Sequence, residues 1–197
     1  MALLNLVLSV TAAYAIAVIR FRGRRSALYA ILVTRVIPDI ALIVPLFLLV
    51  RNLGLINTQS ALVVTYLAVT IPFTIFILIS YFESIPADLY RAARIDGCSH
   101  VAALRHVYLP LALPALVASL MFAFLTSWNE FIFALILTQN VAAQTLPIVI
   151  SGFVMDFTTS FSFINAAGVI AIVPPVILAM LFERYIVSGL TAGAVKG

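Results

Sequence analysis

The sequence predicts an all-α fold built from transmembrane helices, on three observations. Of its 197 residues, 64% are hydrophobic and 9% are charged, and the mean hydropathy is +1.22. A soluble domain has an apolar share nearer ~45–50%. The apolar residues form runs of membrane-spanning length, and the bases gather at the ends of these runs. We therefore predict an integral membrane protein that crosses the bilayer several times.

Five apolar runs are predicted to be spans. The first has about 18 residues, ~27 Å as a helix, which is just enough for a hydrocarbon layer of ~30 Å. The interval between the fourth and fifth runs, from Thr138 to about Ser162, is predicted to be a polar outer loop. The five predicted spans are Ala2 to Ile19, Ser26 to Val50, Ser60 to Phe82, Leu111 to Leu137 and Asn165 to Ile186.

The distribution of bases predicts the orientation of the chain. A signal peptide carries its positive charges before the apolar core, whereas here a cluster of arginines follows the first run. With the N-terminus outside and the C-terminus in the cytoplasm, the positive-inside rule is satisfied. Bases that gather at the ends of apolar runs do not form a nucleic-acid-binding stripe. Nine of the eleven bases are then cytoplasmic: Arg20, Arg22, Arg24, Arg25, Arg91, Arg94, Arg105, Arg184 and Lys196.

The long polar interval at residues 83–110, which we call the elbow, is predicted to form two helices joined at a glycine. Pro86 suits the first turn of a helix, and good helix formers follow from Ala87 to Ile95. Gly97 ends this helix because glycine takes a positive φ at little cost. Ser99 is a suitable N-cap for the second helix.

The first helix of the elbow has the composition of a docking surface. Ala92 and Ala93 are small and let a partner's backbone approach, while Leu89 and Ile95 offer apolar contacts. The elbow is predicted to lie at the membrane surface and to bind another subunit.

The elbow resembles the EAA loop of ABC-type importer permeases. In that family the loop is a coupling helix in a cleft of a separate ATP-hydrolysing subunit. The family's usual Glu is Arg91 here, with Asp88 three residues earlier and able to neutralise it. The resemblance assigns ATPase coupling to Arg91, Ala92, Ala93, Asp96, Gly97, Leu109 and Pro110.

Trp128, Asn129 and Glu130, followed by Phe131, place a carboxylate in an apolar segment. An ionisable group at membrane depth indicates a functional pathway or a subunit-packing role. The alternative is a tryptophan at the membrane interface with Glu130 near the outer headgroups. The same four-residue string resembles one in the maltose-type, carbohydrate-uptake permeases of the family.

Arg35 and Asp39 are four residues apart, so they are predicted to neutralise each other on one helix face inside the membrane. Pro38 weakens the helix at this point. The pair is interpreted either as an internal ion pair in a kinked helix or as part of a hinge beside the translocation path.

The C-terminal tail, residues 188–197, is predicted to be too rich in small residues to form a helix of its own. It resembles the tail of maltose-type permeases, which reaches into the interface of the ATPase dimer. The resemblance assigns ATPase contact to Gly189, Leu190, Thr191, Gly193 and Lys196.

Taken over the whole chain, the resemblance implies one type-1 permease domain at residues 1–197. Members usually have six spans and start inside, so we expect the first span to be missing, through a shortened variant or a start upstream of Met1. The implied function is the permease subunit of an ATP-driven, binding-protein-dependent importer for sugars or polyols in the cell (inner or plasma) membrane. It couples closure of the ATPase to alternating access. The implied partners are an ABC ATPase dimer, a second homologous permease, an extracytoplasmic sugar-binding protein and membrane lipid.

The sequence contains no motif of an enzyme. It lacks the phosphate-binding G-x-x-x-x-G-K-S/T, and also H-E-x-x-H and G-x-S-x-G. Cys98 and His100 are too few for a metal site. We expect no cofactor on this chain, with ATP and Mg²⁺ on the partner ATPase. Two alternatives remain open: a stand-alone ion-coupled carrier that uses Arg35, Asp39 and Glu130, and a non-transporting truncated homologue that acts as a scaffold.

Overall fold

The computed structural model describes residues 1–19, 21–155 and 161–194. Within these ranges the chain is helical apart from short connections, and it contains no strand. The all-α prediction is therefore confirmed.

The helices follow the apolar runs, with breaks at prolines, glycines and polar residues. Single turns of 3₁₀-helix or π-helix lie between several of them. The elements are α1 Ala2–Tyr14, a π-helical turn Ala15–Ile19, α2 Arg24–Thr34, a 3₁₀ turn Asp39–Leu42, α3 Ile43–Asn52, α4 Gln59–Ser84, α5 Ala87–Ile95, α6 His100–Ala103, a π-helical turn Leu104–Tyr108, α7 Leu109–Leu111, α8 Leu113–Trp128, α9 Ile132–Leu137, a 3₁₀ turn Val141–Ala143, α10 Leu146–Met155 and α11 Phe161–Ala194.

Three stretches of helix in the described ranges are long and apolar enough to cross a membrane alone: Ala2–Ile19, Gln59–Ser84 and Phe161–Tyr185. Two bent pairs, α2 with the 3₁₀ turn and α3, and the second half of the elbow with α8, raise the number to five if each pair is one span. This agrees with the predicted count of about five.

Two of the predicted spans are broken rather than kinked. The second stops at Thr34 and resumes at Asp39, because Pro38 has an extended ψ of 136° that no helix continues. The fourth stops at Trp128 and resumes at Ile132.

Two predicted irregular segments contain helix. The outer loop includes α10, whose sequence is strongly apolar and has Pro147 in its first turn. The predicted non-helical tail is also wrong as far as Ala194, since α11 continues to that residue. Adding residues to an existing helix avoids the cost of nucleation, which offsets the ~1 kcal/mol penalty of each glycine.

The chain divides into two compact units. Unit A consists of Ile37–Val69 and Leu125–Leu181 with Met1, and unit B consists of Ala2–Val36, Thr70–Phe124 and the chain from Phe182 onward.

Unit B has its core between α1, the second half of α4 and the elbow. A polar contact also lies within it: the Asn5 side-chain amide donates to the Thr70 hydroxyl at 2.7 Å, and both residues are buried. Such interhelical hydrogen bonds satisfy polar groups that lipid cannot. The buried apolar residues are Val10, Ala13, Tyr14, Ile16, Ala17, Ile75, Leu78, Ile79, Phe82, Ile85, Tyr108, Ala112 and Ala115.

Unit A has its core between α3, the first half of α4, α9 and α10. Asn57, at a left-handed φ of 62°, joins two of its loops, because its side-chain oxygen accepts from the backbone N–H groups of Gln139 and Asn140. The buried apolar residues are Val50, Ala61, Leu62, Tyr66, Phe133, Ala134, Leu137 and Ile148.

Candidate functional site

The first helix of the elbow, α5, ends in a Schellman motif. Gly97 has a φ of +86°, a conformation that side-chain-bearing residues rarely adopt. The Cys98 N–H donates to the Ala93 carbonyl at 2.9 Å, and the Gly97 N–H donates to the Arg94 carbonyl at 3.3 Å. These two bonds satisfy the last carbonyls of the helix. The prediction that Gly97 ends the helix is confirmed.

The second helix of the elbow begins at a side-chain cap. The Ser99 hydroxyl accepts from the Ala102 N–H at 3.1 Å, as predicted. The Arg94 guanidinium donates to the Cys98 carbonyl at 2.6 Å, which fixes the turn between the two helices. The helical path then passes Leu109 and Pro110 in α7 and bends by 82° into α8.

The outer face of α5 is open. Ile95 is 85% exposed, and Leu89 and Ala92 are also exposed. Arg91 donates to the Asp88 carboxylate at 2.9 Å, so the predicted neutralisation takes place on this face. Ala93 lies on the opposite side and is buried in the chain's own core. Of the two alanines singled out, only Ala92 is therefore accessible to another protein.

Hydrogen bonds to His100 hold the inner side of the elbow. The Tyr14 hydroxyl donates to the His100 carbonyl at 3.0 Å. The Tyr90 hydroxyl lies 2.7 Å from His100 Nδ1, with the two rings stacked. Because Tyr14 belongs to α1 and Tyr90 to α5, His100 joins the elbow to the first span.

Four aromatic rings pack around the same point, and we call them the aromatic cluster: Tyr14, Phe82, Tyr90 and Tyr108. Tyr108 lies 5.3 Å from Tyr14, 5.7 Å from Phe82 and 6.4 Å from Tyr90, centroid to centroid, all in edge-to-face geometry. Each such pair is worth about 0.5–1.5 kcal/mol beyond the burial of its area. The cluster therefore connects α5 firmly to α1 and α4.

Sequence reasoning missed the aromatic cluster. Its members come from α1, α4, α5 and the π-helical turn before α7, and each is an ordinary aromatic residue. The one available signal was that these four aromatic residues lie in the elbow or near span ends on the predicted cytoplasmic side.

A cleft of about 390 Å³ opens beside α5. Arg91 and Tyr90 line one side of it, and Ala17 and Phe82 line the other. Residues of α5 therefore line this cleft as well as the exposed outer face of the helix.

Glu130 is an internal helix cap in unit A. Its carboxylate accepts from the Phe133 N–H at 2.8 Å, from the Ala134 N–H at 3.0 Å and from the Tyr66 hydroxyl at 2.9 Å. The two backbone donors belong to the first turn of α9, where a negative charge is favourable. These contacts support the packing interpretation of Glu130.

The neighbours of Glu130 also bond within the protein. The Trp128 indole N–H donates to the Ala171 carbonyl of α11 at 3.1 Å. The Asn129 amide donates back to the Leu125 carbonyl at 3.0 Å, although its side chain is exposed. The Trp-Asn-Glu string thus lies at the end of α8, caps the start of α9 and contacts α11.

Arg35 and Asp39 do not share a helix. α2 ends at Thr34 and the next helical residue is Asp39, so the predicted one-turn spacing on a single helix face is wrong. Arg35 instead lies over the Phe73 ring, with its guanidinium carbon 5.6 Å from the ring centroid. A cation over an aromatic face is stabilised by the ring quadrupole.

The structure describes four of the five tail residues that the resemblance assigns to ATPase contact. Gly189, Leu190, Thr191 and Gly193 lie in the last turns of α11, and Lys196 lies outside the described residues. In the described ranges, His, Cys, Asp and Glu side chains form no group of three able to hold a metal ion.

The fold and the elbow define a class: polytopic membrane proteins that present a helix–glycine–helix element held by their own spans. A profile of the family described as binding-protein-dependent transport system inner membrane component matches residues 5–192. The chain belongs to this family, as its resemblance to importer permeases predicted.

Individual relatives agree with the family assignment. The sulfoquinovosyl glycerol transport system permease protein SmoH of Agrobacterium fabrum is 41% identical over 194 residues, which cover 98% of this chain and 68% of the relative. The trehalose/maltose transport system permease protein MalG of Thermococcus litoralis is 42% identical over 191 residues, covering 96% and 69%.

A solved structure has the same fold. The crystal structure of a bacterial ABC transporter involved in the import of the acidic polysaccharide alginate contains a chain that is 28% identical to this one. The two superpose with a TM-score of 0.78 over 92% of this chain and 69% of that one.

Proposed function

We propose that the chain is the permease subunit of an ATP-driven importer that receives sugars or related polyols from a binding protein. One observation carries the coupling part of this proposal: α5 has an accessible outer face, while its inner face is fixed to α1 and α4 by the aromatic cluster. A helix of this kind transmits a push from outside to the spans.

The proposed mechanism begins on the ATPase. Binding of ATP closes the ATPase dimer, which moves the segment from Ala92 to Gly97. The aromatic cluster passes this movement to α1 and α4, and the spans switch between inward and outward access. Energetic coupling of this type requires an element with two arrangements that both sites bias.

The proposal includes an orientation and a set of partners. The positive-inside rule puts the elbow and the C-terminus in the cytoplasm, where the ATPase is. A second homologous permease completes the pathway, and an extracytoplasmic sugar-binding protein delivers the substrate. ATP and Mg²⁺ bind to the ATPase, so this chain contributes no catalytic group. The end of α11 and Lys196 are proposed to contact the ATPase dimer.

Carbohydrates are the proposed substrates because of the relatives. The names of the two relatives above specify a sugar-bearing glycerol and two disaccharides. These names have a carbohydrate in common. The importer is therefore proposed to carry a polyhydroxylated solute.

The test is to extract the chain from its native membrane in mild detergent through a tag and to identify the proteins that copurify. We expect an ATPase and a second permease in fixed proportion. Uptake of labelled sugars by the cells should stop when the ATPase gene is deleted. Sugar uptake that persists without the ATPase would contradict the proposal and favour an ion-coupled carrier.

A further inference from the structure

A second, smaller cavity lies where α2, α4 and the π-helical turn after α1 meet. It has a volume of about 220 Å³ and adjoins the cleft beside α5, because Glu83 lines both, and both lie in unit B. Its lining residues are Ile16, Arg24, Arg25, Leu28, Tyr29 and Glu83.

The cavity contains charges of both signs that do not pair with each other. Arg24 and Arg25 line it together with Glu83. Among the described residues, Glu83 forms no ion pair within 4.0 Å with Arg24 or Arg25. Because these opposite charges line one cavity without pairing, both signs are available to a ligand.

The cavity lies at the boundary between membrane and water. The span containing α1 ends at Ile19, and the span of α4 ends at Ser84, one residue after Glu83. Ile16 and Leu28 form an apolar wall, and Tyr29 is 64% exposed beside it. Tyrosine with an exposed ring at a span end is typical of the headgroup level.

We propose that this cavity binds the headgroup of an aminophospholipid, namely phosphatidylethanolamine. Its phosphate contacts Arg24 and Arg25 at the N-terminal turn of α2, where the helix dipole also favours an anion. Its ammonium group donates to the Glu83 carboxylate. The acyl chains continue along the apolar wall into the bilayer.

The charge pattern distinguishes this lipid from others. Phosphatidylglycerol offers the arginines a phosphate but leaves Glu83 without a cation and close to an added negative charge. Phosphatidylcholine has the same charges as phosphatidylethanolamine, but its methylated nitrogen has no N–H to donate. A free phosphate ion would use the arginines alone. The inference is independent of the proposed function, because it rests on the cavity only.

The experiment measures lipid retention by the purified full complex, or by the full chain if it purifies alone. The protein is exchanged into nanodiscs of equimolar phosphatidylethanolamine, phosphatidylglycerol and phosphatidylcholine, and bound lipid is counted by native mass spectrometry after release. We expect phosphatidylethanolamine to be enriched about tenfold over phosphatidylcholine, the factor that one hydrogen bond to a charged group supplies.

Two variants test the ammonium contact and the phosphate contact of the headgroup separately. Glu83→Gln should abolish the preference over phosphatidylcholine and raise retention of phosphatidylglycerol. A variant with both Arg24→Gln and Arg25→Gln should lose all three lipids. Arg22→Gln is the matched control, because Arg22 is an exposed arginine of the same cluster that does not line the cavity.

Two results would overturn the proposal. Equal retention of the three lipids by the unmodified protein would show that the arginines only follow the positive-inside rule. Displacement of bound lipid by millimolar inorganic phosphate, with no effect of Glu83→Gln, would show a simple phosphate site. The melting temperature of each variant in detergent shows whether a loss of lipid reflects loss of the fold.

Discussion

The elbow and the Trp-Asn-Glu string both interrupt helices with polar residues in an apolar chain, but they use their polar groups in opposite ways. At Gly97 the backbone closes α5 by itself, and the side chains of Arg91 and Asp96 remain exposed. At Glu130 it is the side chain that caps the start of α9, and its carboxylate accepts three hydrogen bonds.

The difference shows what an acidic or basic residue in a membrane sequence does and does not indicate. Burying such a residue in the membrane costs free energy unless its charged group forms hydrogen bonds or ion pairs. The protein's own backbone can supply these hydrogen bonds. The carboxylate of Glu130 has hydrogen-bond partners of this kind. Of the three charged residues on which the carrier hypothesis depends, Glu130 therefore already has a structural role. The exposed groups of the elbow are the ones left to bind a partner.

The largest effect is expected from Gly97→Asp, which should abolish sugar uptake. A non-glycine residue at φ +86° destabilises the fold by roughly 1–2 kcal/mol. A protein whose free energy of unfolding is ~5–15 kcal/mol tolerates this loss. A Cβ at this position meets nothing within 4 Å, so the carboxylate projects outward rather than into the core. Uptake assays with quantification of the protein in the membrane provide the test.

Gly97→Asn is the matched control for this variant. Asparagine has nearly the same shape and also adopts the left-handed conformation, but it adds no charge. It should retain part of the uptake and still copurify with the ATPase. Normal uptake by Gly97→Asp would remove Gly97 from the coupling surface and leave the elbow as an ordinary loop.

The second effect is a loss of stability in Glu130→Ala, by about 2–5 kcal/mol. The change removes the acceptor for two backbone N–H groups and the Tyr66 hydroxyl, and each unsatisfied buried donor costs ~1–3 kcal/mol. Thermal unfolding in detergent measures it. Glu130→Gln keeps one acceptor oxygen, so its melting temperature should lie between those of Glu130→Ala and the unmodified protein. If Glu130→Ala instead melts like the unmodified protein while uptake is lost, Glu130 belongs to the pathway.

A smaller effect is expected from Tyr90→Phe and Tyr14→Phe, each of which removes one contact with His100 and keeps the ring. Each should lower the free energy of unfolding by about 1 kcal/mol. If the aromatic cluster transmits movement, each should also lower the number of sugar molecules transported per ATP hydrolysed by the reconstituted complex. An unchanged ratio in both variants would assign the cluster to stability alone.

The smallest effect is expected from Arg91→Gln. Its partner Asp88 is 86% exposed, and helix pairs of this kind contribute only about 0.2–0.5 kcal/mol. The melting temperature should stay close to that of the unmodified protein, both in Arg91→Gln and in Asp88→Asn. A large loss of ATPase in Arg91→Gln but not in Asp88→Asn would reveal a direct contact between Arg91 and the partner.

The sequence predicted the elbow closely because its signals are local. Pro86, Gly97 and Ser99 each act on residues within five positions, so the bounds Ala87–Ile95 followed from them. The hydrogen bond between Glu130 and Tyr66 was missed because the two residues are 64 positions apart in the chain. The aromatic cluster was missed for the same reason.

Two segments were misjudged through composition. α10 is flanked by polar residues that suggested a loop, and the small residues before Ala194 suggested a frayed end. In both cases the neighbouring helical residues outweigh the weak propensity of single positions. The site assignments taken from the resemblance remain predictions that the variants above address.

Trp128 has a consequence for optical measurements. It is the chain's single tryptophan, and its indole N–H is bonded to the Ala171 carbonyl. The ultraviolet fluorescence of the isolated chain, when excited at the red edge of absorption, therefore arises from one known position between α8 and α11. A shift of its emission wavelength would report the opening of that contact without any attached dye.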